Sequence, residues 1–87
     1  MNEHTRDKIV AWFRGWALVW EGPPRLTREL VSKHANAFMA GDPTSLILVL
    51  NHRRQLLRGR GGHEAEVKRI AHYLGILSRS GGKERHE

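Results

Sequence analysis

Three short stretches, EGPP at 21–24, GDP at 41–43 and GRGGH at 59–63, hold all three prolines and most of the glycines of the chain. A glycine can take positive φ, and a proline can neither donate to a helix nor continue one. Each stretch is therefore a break. Between the breaks the apolar residues recur at helical spacing, so the chain is predicted to be all-α with four helices.

The first helix is expected over 3–21, with Ile9, Trp12, Phe13, Trp16, Val19 and Trp20 on one side and Glu3, Asp7 and Arg14 opposite. The second lies within PPRLTRELVSKHANAFMAG, where Leu26, Leu30, Val31, Ala37 and Phe38 form the stripe and Gly41 is placed to cap the end. The third is expected over about 43–59, with Asp42 as cap, Pro43 at the first helical position, and Leu46, Ile47, Leu50, Leu57 and, at the edge, Val49 on the apolar face. LILVL at 46–50 would suit a strand by itself, but the helical pattern resumes at Leu56 and Leu57 and no second strand exists to pair with it. The fourth is expected over about 63–79, with Val67, Ile70, Ala71, Leu74 and Leu77 inward. Residues 1–79 then make one helical domain, and the glycine-rich, charged 80–87 reads as a disordered tail. Short links imply a compact four-helix bundle or an orthogonal array.

At 87 residues the core is small. The chain has no cysteine, which excludes disulfides and thiolate chemistry. It also has no apolar run long enough to cross a bilayer and no secretory pattern at its start, so a soluble cytoplasmic protein is expected.

The three tryptophans stand four apart, at Trp12, Trp16 and Trp20. On a helix they form one ridge, expected to be core, with Trp16 at its centre and its truncation among the most damaging. Base stacking by the ridge is the lesser alternative. Ala11, Gly15 and Leu18 lie on another side of the same helix and make an apolar notch. A homodimer or a partner protein is expected there.

The six histidines, His4, His34, His52, His63, His72 and His86, include no HxxxH or HExxH spacing, so no metal or other cofactor is expected. His34 lies within an apolar stripe and is expected to be packed and hydrogen-bonded. Glu64 and Glu66 suit the first turn of a helix better than a catalytic pair. No nucleophile elbow or phosphate loop occurs, and no enzymatic activity is expected.

Positive charge is the clearest functional signal. Lys and Arg outnumber Asp and Glu by 15 to 9, and NHRRQLLRGRGG concentrates Arg53, Arg54, Arg58 and Arg60. Lys68 and Arg69 could join them across the turn. Guanidinium forks match phosphate oxygens, so these six residues are the candidate nucleic-acid-binding set. A solvated helix end or a surface for an acidic protein would use the same residues. KRIAHYLGI at 68–76 has the alanine and glycine of the first half of a helix-turn-helix, but no second amphipathic helix follows it. Contact with the DNA or RNA backbone is therefore expected rather than base readout. The sequence points to a small helical nucleic-acid-binding regulator. The runner-up is a protein-binding regulator or inhibitor of the kind phages and plasmids encode, and a structural subunit is a third possibility.

Overall fold

The computed structural model describes the backbone of residues 1–85 and the side chains of residues 1–79. It is all-α: α1 spans Glu3–Ala17, α2 Arg28–Met39, α3 Thr44–Leu57 and α4 Glu64–Arg85, with no strand among the described residues. LILVL lies inside α3. Each helix packs on the next in order, α1 on α2, α2 on α3 and α3 on α4. The rings of Trp12 and Tyr73, 4.7 Å apart, join α1 to α4.

The helix ends follow from local chemistry. Asn2 caps α1 by accepting from the Thr5 N–H at 2.8 Å, and Thr27 caps α2 by accepting from the Leu30 N–H at 3.1 Å. α2 closes in a Schellman arrangement: Gly41, at φ +105°, donates to Phe38 O while Asp42 donates to Ala37 O. Asp42 accepts from the Thr44 N–H at 3.1 Å, and α3 starts at Thr44, with Pro43 just outside it as N-cap. Thr44, through its hydroxyl and then its backbone N–H, holds the Asp42 carboxyl below its usual pKa.

α3, at Thr44–Leu57, leaves out Pro43, expected at its first helical position, and ends two residues before the expected 59, while two other helix ends differ more. α1 stops at Ala17 instead of 21. Past Ala17 the last turn tightens, with Val19 donating to Trp16 O three residues back, and the chain leaves the helix before EGPP. α4 runs the other way, continuing past 79 to Arg85. No proline interrupts it, and once a helix is nucleated each further residue adds a hydrogen bond. The last two positions of the expected tail, 86 and 87, lie outside the described residues.

The core joins Ile9, Val10 and Phe13 of α1 to Val31, Ala35 and Phe38 of α2, Leu46, Leu50 and Leu57 of α3, and Ile70, Tyr73, Leu74 and Leu77 of α4. In α2 the buried line is 31–35–38, which leaves Leu30 exposed, and in α4 Ala71 faces outward. The tryptophan ridge is core only at its far end. Trp20 is buried, whereas Trp12 and Trp16 are half-buried and pack against the core from outside.

Candidate nucleic-acid interface

Arg53 is the largest fully buried side chain among the described residues, 1% exposed. The sequence expectation that it faces a ligand is therefore corrected. Leu46, Leu50, Arg53 and Leu57 form one line on α3, and Arg53 occupies its third place. The guanidinium donates from Nε to Glu66 Oε2 at 2.8 Å and from Nη2 to Glu66 Oε1 at 3.4 Å. Nη1 donates to the carbonyls of Glu21 and of Pro23, the latter at 2.9 Å. The Trp20 ring centre lies 4.7 Å from Arg53 Cζ and the Trp16 ring centre 6.0 Å away. Trp20 is itself fixed by donating from Nε1 to Pro24 O at 2.9 Å.

A buried charge is tolerated only when paired and hydrogen-bonded, and here both conditions are met. The spacing of the tryptophans is thereby accounted for. Trp12 stacks on Trp16 at 4.5 Å, Trp16 meets Trp20 edge-on at 4.3 Å, and the last two cover the guanidinium. The carbonyls of Glu21 and Pro23, in the non-helical segment between α1 and α2, supply the remaining acceptors. Glu66 does more than complement the start of α4: it ties α4 to α3 through Arg53 and also lies 3.3 Å from His63 Nδ1.

The other five candidate cations sit at the surface or near it. Arg58, Arg60, Lys68 and Arg69 are exposed and Arg54 is half-buried. Among the described residues none of the five has a salt-bridge partner. Arg58, Arg60 and Lys68 line one open groove of about 500 Å³ at the α3–α4 turn, whose apolar lining includes Leu57 and Val67. Arg54 and Arg69 are not part of that lining. Gly59 and Gly62, at φ +76° and +90°, turn the chain between α3 and α4, and Arg60 in the turn and Lys68 in α4 both line the groove. Glu64 also lines it and accepts from the Gly62 N–H at 3.1 Å.

α4 passes through Gly75 without a turn, so no helix-turn-helix forms there. His34 is half-buried, and its Nδ1 is shut away without a hydrogen-bond partner, contrary to the expectation of a bonded ring. Burial, with Lys33 adding to it, holds its pKa below the ordinary value. Among the described residues no three His, Asp or Glu side chains gather as a metal site would require, and no helix is long and apolar enough to cross a membrane. Ala11, Gly15 and Leu18 are all exposed, and a Cβ built on Gly15 meets nothing within 4 Å. The notch is open and is not filled from within the chain. No protein-family model, curated protein or solved structure matches the chain.

Proposed function

We propose that this protein is a non-enzymatic nucleic-acid-binding regulator that grips the phosphate backbone at the α3–α4 turn. The observation that carries the reading is the set Arg58, Arg60 and Lys68, three cations lining one groove and without a salt-bridge partner among the described residues. Free cations held together raise the local positive potential, and when they neutralise phosphates the counterions condensed on the polyanion are released. Guanidinium groups add bidentate geometry suited to phosphate. Arg53 is outside this set because its donors serve the fold. Titration of labelled single-stranded DNA, duplex DNA and RNA, beside an acidic polypeptide of equal charge, tests the reading. Nucleic acid should bind more tightly than the polypeptide, and the triple variant Arg58→Ala, Arg60→Ala, Lys68→Ala should abolish the preference. Preference for the polypeptide would instead support the protein-partner reading.

A second reading concerns self-association and rests on a separate surface. Leu18 and Val19 are 45% and 75% exposed at the end of α1, next to the open notch at Gly15. Apolar surface adjoining a place where a second helix can approach suits a homodimer. Sedimentation of the wild type and of Gly15→Glu tests it: the variant should sediment as the smaller species with its helicity retained. A wild type that stays monomeric at high concentration removes this reading.

A further inference from the structure

The groove at the α3–α4 turn does not end at Arg60. A second depression of about 230 Å³ reaches from Arg60 and His63 to the Glu21–Pro23 segment, with the Arg53 side chain in its lining. The two share Leu57, Arg60 and His63 in their linings, so Arg60 stands between them and the pair makes an interrupted trough from Lys68 to the Glu21–Pro23 segment that follows α1. From this adjacency we infer that the ligand is a single strand of nucleic acid, laid from one depression to the other across Arg60. The inference rests on the nucleic-acid reading above and narrows it.

The first reason is the lining. Half-buried Val67 presents apolar surface between the cations, with buried Leu57 beneath it. A duplex keeps its base faces inside the stack and offers only phosphates and groove edges, so such a floor would gain nothing from it. An unstacked base can lie on the floor while its phosphates reach Arg58, Arg60 and Lys68. The second reason is shape. Proteins that read a duplex insert a protruding helix or ribbon into its groove. Here α3 and α4 offer the cations along a concavity between them, which encloses a strand and meets a duplex only at its rim. The carboxylates of Glu64 and Glu21 in the two linings oppose any nucleic acid and set the affinity below what the cations alone would give.

Fluorescence anisotropy with a labelled single strand, as DNA and as RNA, and with the duplex of the same sequence tests this on the full chain. At least one single strand should bind roughly tenfold more tightly than the duplex, with a salt slope of about 0.7 per contact where a duplex ligand would give about 0.9. Arg60→Ala should weaken single-strand binding several-fold. Arg69→Ala, which removes the same charge from an exposed position outside the trough, should change it less than about twofold. Glu64→Gln should strengthen it. All three substitutions are at exposed positions, and circular dichroism confirms that each variant folds. Duplex binding as tight as single-strand binding, or equal loss in Arg60→Ala and Arg69→Ala, would overturn the single-strand trough and leave the broader reading standing. Binding to none of the three nucleic acids would overturn both.

Discussion

Arg53 shows how one buried charge can organise a small domain. Removing a single partner of a buried, hydrogen-bonded ion pair costs about 3–5 kcal/mol, because the other partner is left uncompensated. Arg53→Ala should therefore lower the melting temperature sharply. Arg53→Lys should recover only part of the loss, since an ammonium cannot serve Glu66 and two carbonyls in one plane. Trp20→Ala should cost about 3–5 kcal/mol, and Trp16→Ala clearly less, because Trp20 is buried with its Nε1 bonded while Trp16 is half-buried. Thermal denaturation ranks the four variants; equal losses at the two tryptophans would deny Trp20 its special place. The ridge was legible in the sequence as core, but its weight was placed on Trp16. The clue to Arg53 was also present, since it falls on the line of Leu46, Leu50 and Leu57. What hid it is that an arginine among arginines reads as surface charge. Its acceptors, two carbonyls and a glutamate thirteen residues away, have no sequence signature.

His34 belongs to the same scale. Burial lowers its pKa from the ordinary 6.5, so the folded chain binds fewer protons there than the unfolded chain. Its stabilising contribution is complete above that ordinary value and is lost as pH falls toward the folded pKa. The melting temperature should therefore fall more in the wild type than in His34→Gln between about pH 7.5 and pH 5.5. An equal fall in both would show that His34 is not the source.

At the scale of elements, the breakers were fully legible and the ends only partly so. Positive φ at Gly22, Gly41, Gly59 and Gly62 places the turns where the glycines are. The end of α1 is not legible, because EGPP bars a helix beyond it but carries no sign of the tighter turn at Trp16–Val19 that closes the helix first. The end of α4 was misjudged because glycines weaken a helix without forbidding it. Gly15 lies inside α1 with open space where a side chain would start. Gly15→Ala should thus stabilise the monomer by roughly 0.5–1 kcal/mol, a rise of about 2–8 °C in melting temperature. A fall on heating in dilute solution would mean that the site is crowded in the folded chain.

For the whole molecule, the charge separates into two roles that composition cannot distinguish. One arginine is consumed by the fold, joining the end of α1 to α3 and α4. Its neighbours at the α3–α4 turn are left unpaired beside the groove that the fold creates. The sequence placed six cations together; only the packing of α3 against α4 decides that Arg58, Arg60 and Lys68 share a groove and that Arg54 and Arg69 do not.

The central claim is that this groove binds a polyanion through direct phosphate contacts. The slope of log affinity against log salt, measured for the wild type and for Arg58→Ala combined with Arg60→Ala, tests it most directly. The double variant should flatten the slope by about 1.4–1.8, two contacts at roughly 0.7–0.9 each, with its melting curve little changed. An unchanged slope, or a wild type with no affinity for nucleic acid at low salt, would contradict the account.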